Sequence, residues 1–199
     1  MSILKNILVT GANGQLGMEF RSLADQYPHF RFIFVTKEQL PINDTAAIDH
    51  YFSSNNIDYC INCAAYTAVD KAETENETAF EINGYAAGSL AAICKKQHTT
   101  FIHFSTDYVF NGEAKVPYKE TDETDPVNSY GASKLLGEQE ALKNNPATII
   151  IRTSWVYSSF GKNFVKTMLR LMNEKESISV VSDQLGCPTY ANDLAAAVM

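Results

Sequence analysis

Tyr130 and Lys134 stand four residues apart in the run Tyr130-Gly131-Ala132-Ser133-Lys134. Residues four apart share one face of a helix, so the ammonium group is expected to lie near the phenol. A free tyrosine has a pKa of about 10, which is too high for acid–base work at neutral pH. A nearby cation stabilises the phenolate and lowers that pKa, as general acid–base catalysis requires. The same spacing occurs in ordinary surface helices, so other motifs must support this interpretation.

A glycine pattern follows the first predicted strand, in the run Thr10-Gly11-Ala12-Asn13-Gly14-Gln15-Leu16-Gly17. In this G-x-x-G-x-x-G pattern, Gly11 permits a tight turn, Gly14 lets the backbone approach a pyrophosphate, and Gly17 allows a helix to pack closely on a strand. The N–H groups that open the helix then point toward the anion. The position between a strand and an amphipathic helix favours a dinucleotide site over a glycine turn without a ligand.

The end of the second predicted strand bears on which dinucleotide is bound. An acidic residue at that point binds the ribose 2′-hydroxyl and indicates NAD. This chain has Thr36 and Lys37 there, and a hydroxyl with a cation suits a 2′-phosphate better than a carboxylate does. The sequence therefore favours NADP(H), with NAD(H) as the second possibility. A solvated loop lysine explains Lys37 equally well.

A third group of polar residues ends the apolar strand Thr100–Ser105, in the run Ser105-Thr106-Asp107-Tyr108. Hydroxyl groups at the carboxyl end of a parallel strand project into the ligand crevice of an open α/β sheet. The glycine turn, this strand end and the Tyr130/Lys134 helix together predict a hydride-transfer site.

Short apolar runs alternate with segments of helical spacing along the chain. Strands that are almost wholly apolar and are separated by helices predict a parallel sheet covered on both faces, that is, a doubly wound Rossmann-type α/β fold. The predicted strands are Asn6–Thr10, Phe30–Thr36, Asp58–Asn62, Thr100–Ser105, Ala147–Arg152 and Ile178–Val181. The predicted helices are Gln15–Tyr27, Thr45–Ser54, Glu77–Gln97, Ser129–Asn144, Asn163–Glu174 and one that begins near Asn192 or Asp193.

Composition excludes several classes of protein. The 199 residues are 45% hydrophobic and carry a net charge of −7, which excludes a disordered chain and argues against nucleic acid as a partner. No apolar run of about 18 residues and no signal peptide is found, so no membrane association is expected. Cys60 and Cys63 have C-x-x-C spacing but lie in an apolar run without a second ligand pair, so we interpret them as structural. A reducing cytoplasm is the expected location.

The C-terminal residues predict that a second lobe begins in this chain. The last helix stops at Ala195-Ala196-Ala197-Val198-Met199 without a cap or a charged last turn, which is typical of a truncated chain. The sequence therefore predicts a Rossmann domain over residues 1–155 and part of a smaller substrate-binding region over residues 156–199.

Several longer blocks resemble the dTDP-4-dehydrorhamnose reductases, a family of the extended short-chain dehydrogenase/reductases that act on nucleotide sugars. The resemblance runs from about residue 5 to the end of the chain, and full-length members carry a further C-terminal segment. These longer blocks are Asn62–Glu73, Ser105–Phe110, Arg152–Tyr157 and Asn163–Leu171. The shorter runs Thr10–Gly17, Asn62–Ala65, Ser105–Thr106 and Tyr130–Lys134 resemble the extended short-chain dehydrogenase/reductases as a whole.

The resemblance implies a role for each matching residue. Tyr130 is the expected proton donor, Lys134 its partner and a ligand of the nicotinamide ribose, and Thr106 the hydroxyl that bonds the reacting oxygen. The expected substrate-binding residues are Thr106, Asp107, Tyr108 and Trp155. The expected cofactor-binding residues are Gly11, Asn13, Gly14, Gln15, Leu16, Gly17, Thr36, Lys37, Ile42, Ala64, Ala65, Tyr66, Thr67, Phe104, Tyr130 and Lys134.

Five further residues need separate comment. Thr36 and Pro41 stand where relatives often have acidic residues, and both positions concern adenosine binding. Glu19 matches one ligand of a magnesium site linked with some relatives, but Asn192 replaces an expected acid, so no metal is predicted. For Asn83 two roles are open: orienting a water near Lys134, or packing and bending its helix.

The resemblance implies an NADPH-favouring oxidoreductase of dTDP-rhamnose biosynthesis, and thus of cell-surface polysaccharides. It would reduce the C4 ketone of dTDP-4-dehydro-6-deoxy-L-mannose to dTDP-L-rhamnose. A nucleotide-sugar substrate is the expected partner, with a homodimer as a possible assembly. Two alternatives stay open: a nucleotide-sugar epimerase or dehydratase of the same superfamily, and a non-catalytic NADP-binding regulatory subunit such as the methionine adenosyltransferase β subunit.

Overall fold

A parallel sheet of five strands forms the centre of the computed structural model, which describes residues 4–199. The strands run in the spatial order β2-β1-β3-β4-β5. The chain passes from β1 to β2 on one side and then crosses back to β3 on the other side of β1. This reversal of direction opens a crevice at the carboxyl ends of β1 and β3. The strands are β1 (Lys5–Thr10), β2 (Phe30–Phe34), β3 (Tyr59–Asn62), β4 (Thr100–Thr106) and β5 (Ile149–Thr153).

Helices cover both faces of this sheet and bury one apolar cluster on each. Phe52, Leu90 and Phe101 belong to the first cluster, and Phe20 and Phe104 to the second. The predicted doubly wound α/β fold is therefore confirmed. The helices are α1 (Gln15–Leu23), α2 (Thr45–Ser54), α3 (Asn76–Phe80), α4 (Ala86–Lys96), α5 (Ser129–Asn144), α6 (Phe164–Glu174) and α7 (Ala191–Val198). None of the described helices is long and apolar enough to cross a membrane.

Helix α7 packs beside α1 through a buried polar contact. Glu19 of α1 is 2% exposed, and its carboxylate accepts hydrogen bonds from Ser158 Oγ at 2.6 Å and Asn192 Nδ2 at 3.0 Å. A buried carboxylate needs such donors, because it would otherwise lose its hydration without compensation. The chain after β5 is thereby held against α1. The domain boundary at residue 155 stays a prediction.

Two predicted helices differ from those in the structure. The helix expected over Gln15–Tyr27 ends at Leu23 and continues only as a 3₁₀ turn, Ala24–Gln26. The helix expected over Glu77–Gln97 is interrupted by a π-helical turn, Glu81–Tyr85, between α3 and α4.

The predicted strand Ile178–Val181 is wrong. Val180 and Val181 are 51% and 66% exposed, and this run pairs with no other strand in the described part of the chain. An apolar run becomes a strand only where a neighbour accepts its backbone hydrogen bonds. The pairing found here instead joins β6 (Val156–Tyr157) to β7 (Thr189–Tyr190), which the sequence pattern does not indicate.

Candidate active site

The glycine turn joins β1 to α1 and has no room for side chains. Gly11 has φ +61°, and a Cβ added to it would lie 2.6 Å from the backbone nitrogen of Ala64. A Cβ on Gly17 would lie 2.5 Å from the Gly11 carbonyl oxygen. Gly14 is the N-cap of α1, so no side chain covers the free N–H groups of the first turn. The turn thus presents a helix N-terminus that suits an anion.

A cavity of about 320 Å³ opens beside this turn at the carboxyl ends of β1, β2 and β3. Its size and position suit part of a dinucleotide. Nine predicted cofactor-binding residues line it: Gly11, Asn13, Gly14, Thr36, Lys37, Ile42, Ala64, Ala65 and Tyr66. Five further lining residues were not predicted: Glu38, Leu40, Asn43, Cys63 and Ile82. Of these residues, Glu38 was the most predictable from the sequence, because it lies only two residues beyond Thr36.

The other predicted cofactor-binding residues do not line this cavity. The Gln15 side chain accepts a hydrogen bond from Asn163 Nδ2 at 2.9 Å. Leu16 and Phe104 pack in the apolar cluster beneath α1. Thr67 is exposed. Their roles in cofactor binding stay predictions.

Thr106 and Tyr130 meet where β4 ends and α5 begins. Thr106 is 5% exposed, and the hydrogen bond that its hydroxyl can give the Tyr130 oxygen acts to lower the Tyr130 pKa. The same hydroxyl donates to Asp107 Oδ1 at 3.1 Å and accepts from Tyr108 N at 3.2 Å. The Tyr108 ring packs edge-on against Tyr130, with centroids 5.7 Å apart. Gly131 permits this close approach, because a Cβ there would collide with the Tyr108 carbonyl oxygen.

Lys134 lies one turn further along α5 and is almost fully buried. Its Nζ donates to the Phe104 carbonyl oxygen at 2.6 Å, and burial lowers its pKa to about 8. Burial also raises the pKa of Tyr130 to about 12. The predicted lowering of the Tyr130 pKa by Lys134 is therefore wrong, because burial outweighs the stabilising contacts and the ammonium points to a carbonyl. A phenol with this pKa stays protonated at neutral pH, which is the form that donates a proton.

Asn83 lies in the π-helical turn and holds the loop after β3. Its Oδ1 accepts from Tyr66 N at 2.8 Å, and its Nδ2 donates to Tyr66 O at 2.9 Å and to Ser133 Oγ at 3.0 Å. Ser133 Oγ in turn donates to Tyr130 O at 2.7 Å. One buried amide thus joins the cavity wall to α5. These contacts support the packing and bending role for Asn83.

A second buried amide, Asn62, joins three strands beneath the site. Its Oδ1 accepts from Thr10 Oγ1 at 2.6 Å, and its Nδ2 lies 3.1 Å from His103 Nδ1. Burial, and then the charge of Lys134, lower the pKa of His103 well below its usual value. The imidazole is therefore neutral and serves the packing of β1, β3 and β4.

Trp155 and Asp107 lie at the same edge of the sheet as Thr106. Trp155 follows β5, has φ +45° and is 46% exposed, and a bulky residue with positive φ is strained. The indole packs against Gly186, where an added Cβ would lie 2.5 Å from Trp155 Cε2. Burial raises the pKa of Asp107 above its usual value. Within residues 4–199, no group of three or more metal-ligating side chains is found.

Comparison with known proteins identifies the family. The family model for the RmlD substrate binding domain matches residues 5–199. A spore coat polysaccharide biosynthesis protein of Bacillus subtilis, SpsK, is 44% identical over 98% of this chain and 69% of its own length. A dTDP-4-dehydrorhamnose reductase of Burkholderia thailandensis is 45% identical over 95% of this chain and 63% of its own length.

A solved structure agrees with these relatives. The dTDP-4-dehydrorhamnose reductase of Bacillus anthracis, solved in complex with NADP, superposes with a TM-score of 0.95 at 38% identity. That match covers 98% of this chain and 69% of the solved one. The chain thus spans about two thirds of the length of the relatives it matches. It belongs to the family of the RmlD substrate-binding domain, which is the family of the dTDP-4-dehydrorhamnose reductases.

Proposed function

We propose that this chain carries the reducing site of a dTDP-4-dehydrorhamnose reductase that favours NADPH. The reaction is reduction of the C4 ketone of dTDP-4-dehydro-6-deoxy-L-mannose to give dTDP-L-rhamnose. The observation that carries the proposal is that Thr106 and Tyr130 lie together at the sheet edge that also holds the glycine-turn cavity, with Lys134 one turn further along α5.

The residues around the cavity fit a nicotinamide dinucleotide. Added Cβ atoms at Gly11 and Gly17 would collide with the backbone, so the turn keeps the narrow form that lets a pyrophosphate approach N–H groups. A nicotinamide cofactor bound there supplies a hydride to the ketone carbon. The Bacillus anthracis relative was solved with NADP, which supports the same cofactor here.

Tyr130 and Thr106 act on the oxygen of the ketone in this proposal. The Tyr130 phenol donates its proton to that oxygen as negative charge develops, and the Thr106 hydroxyl donates a hydrogen bond to it. Lys134, held by the Phe104 carbonyl, contacts the nicotinamide ribose. Asp107, Tyr108 and Trp155 contact the sugar.

The same proposal gives the expected substrate, location and assembly of the enzyme. Its substrate is a nucleotide sugar, and we place the reaction in the cytoplasm. A homodimer is the assembly to test by sedimentation. Neither nucleic acid nor a membrane has a role in the proposed reaction.

The proposal is tested by NADPH oxidation in an extended chain that includes the further C-terminal segment. We expect stoichiometric oxidation with dTDP-4-dehydrorhamnose and much slower oxidation with UDP- and GDP-linked ketosugars. An epimerase or dehydratase would convert sugar without consuming added NADPH. A non-catalytic subunit would bind NADPH and oxidise none of it. Either result contradicts the proposed function.

A further inference from the structure

Two side chains of opposite charge line the cavity beside the end of β2. Lys37 and Glu38 are both exposed at its mouth, and they are the only charged residues among those described in its lining. The Thr36 hydroxyl hydrogen-bonds the Glu38 carboxylate and lowers its pKa, and the charge of Lys37 lowers it further. Glu38 is therefore a carboxylate anion at neutral pH. The adenosine end of the cavity presents an anion as well as a cation.

The turn after β2 is fixed by hydrogen bonds of the Thr36 backbone. Thr36 N donates to Gln39 Oε1 at 2.9 Å, and Leu40 N donates to Thr36 O at 2.9 Å. These contacts fix the backbone that carries Lys37 and Glu38 into the lining of the cavity.

We propose that Glu38 is a specificity-determining residue that opposes Lys37 in the choice between NADPH and NADH. A carboxylate accepts a hydrogen bond from the ribose 2′-hydroxyl of NADH and repels the 2′-phosphate of NADPH. Lys37 attracts that phosphate. The chain then binds both dinucleotides, with a preference for NADPH that Glu38 keeps small. This inference rests on the proposed function, which places the adenosine ribose at this end of the cavity.

Calorimetric titration of the chain with four ligands tests the inference. NADPH and NADH report on the whole cofactor, whereas 2′,5′-ADP and 5′-AMP report on the adenosine end alone. Glu38→Gln removes the charge and keeps the shape of the side chain. We expect this variant to bind NADPH and 2′,5′-ADP about three- to fivefold more tightly than the parent at low salt. Its affinity for NADH and 5′-AMP should be unchanged or weaker. Lys37→Ala should change the NADPH preference in the opposite direction.

Glu77→Gln is the matched control. Glu77 lies in the first turn of α3, is exposed and does not line the cavity, so this variant changes the net charge equally. We expect its ratio of NADH to NADPH dissociation constants to stay within twofold of the parent. If the same ratio for Glu38→Gln stays within twofold of the parent, or changes in favour of NADH binding, the inference is overturned. The proposed function is unaffected by that result. Failure of the parent to bind any of the four ligands contradicts both.

Discussion

At the scale of single residues, burial decides the chemistry of Tyr130. Its pKa is raised to about 12, so the phenol is protonated at neutral pH, as the proposed role of proton donor requires. In the extended chain, Tyr130→Phe should lower kcat about 10²- to 10⁴-fold, because the general acid is lost. The dissociation constant of NADPH should stay within twofold, because the cavity is unchanged. Steady-state NADPH oxidation and a binding titration measure the two effects.

Tyr85→Phe is the control for this variant. Tyr85 is 56% exposed in the π-helical turn and has no proposed role in the reaction. Its kcat should equal that of the parent. Turnover at the parental rate in Tyr130→Phe would remove Tyr130 from the mechanism.

The buried ammonium of Lys134 has a measurable effect on stability. Its pKa in the folded chain is about 8, whereas an unfolded lysine titrates near about 10.4. Between these values the unfolded chain binds more protons than the folded chain, so the contribution of Lys134 to the free energy of unfolding rises with pH. Below about pH 8 the cost of the buried charge is fully present. Lys134→Met should therefore be more stable than the parent at pH 7, by about 2 kcal/mol.

Urea unfolding at several pH values between 7 and 10 measures this effect. The difference between Lys134→Met and the parent should shrink as the pH rises, because the parent gains stability when the folded Lys134 loses its proton. Titration of the cysteines is shared by both chains and cancels in the difference. A difference in the free energy of unfolding that stays constant over this pH range would contradict the lowered pKa of Lys134.

At the scale of elements, the N-terminus of α5 sets the position of Tyr130. Asn128 caps this helix by accepting a hydrogen bond from Gly131 N at 2.7 Å. Glu73 accepts from Ser129 N at 2.8 Å and from Ser129 Oγ at 2.9 Å. These acceptors satisfy N–H groups of the first turn and complement the helix dipole. The segment after β3 and helix α5 are therefore held together at this point.

Asn128→Ala tests whether this cap positions Tyr130. Asp44→Ala is the matched control, because Asp44 caps α2 in the same way by accepting from Ala47 N at 2.9 Å. Each variant should lower the free energy of unfolding by about 1 kcal/mol. Only Asn128→Ala should also lower kcat in the extended chain, with the affinity for NADPH unchanged. Equal kcat values in the two variants would contradict a positioning role for the α5 cap.

At the scale of the whole molecule, α6 leaves an apolar surface exposed. Phe164, Leu169 and Met172 are 62%, 58% and 63% exposed, and the relatives are about half as long again as this chain. The 199-residue chain should bind NADPH yet show little reduction of the sugar. The nucleotide half of the substrate normally supplies binding energy that positions the ketone, and we expect a further lobe to bind it.

The comparison of two lengths of chain measures this expectation. Values of kcat/KM are compared for the 199-residue chain and for the extended chain, both at saturating NADPH. The extended chain should be at least about 100-fold more efficient. Equal values would mean that the substrate pocket is complete within these residues.

Local pattern alone determined much of this molecule. The bounds predicted for α2 and α5 match the structure, because a capping side chain, Asp44 or Asn128, precedes each helix. The glycine turn was predictable because its three glycines and the strand and helix that they join lie in one short run of sequence. The parallel sheet followed from the alternation of apolar runs with helices, since buried crossovers admit few arrangements.

Only the tertiary structure decided features that depend on distant partners. Ile178–Val181 has strand-forming residues but lies exposed without a partner strand, because pairing is a property of two segments. Asn83 holds Tyr66 from 17 residues away and lies in a π-helical turn that periodicity does not show. The Tyr130 pKa follows burial and not its spacing from Lys134. Spacing brings two groups to one helix face, but the surrounding chain determines how much water remains around them, and desolvation then determines which charges persist.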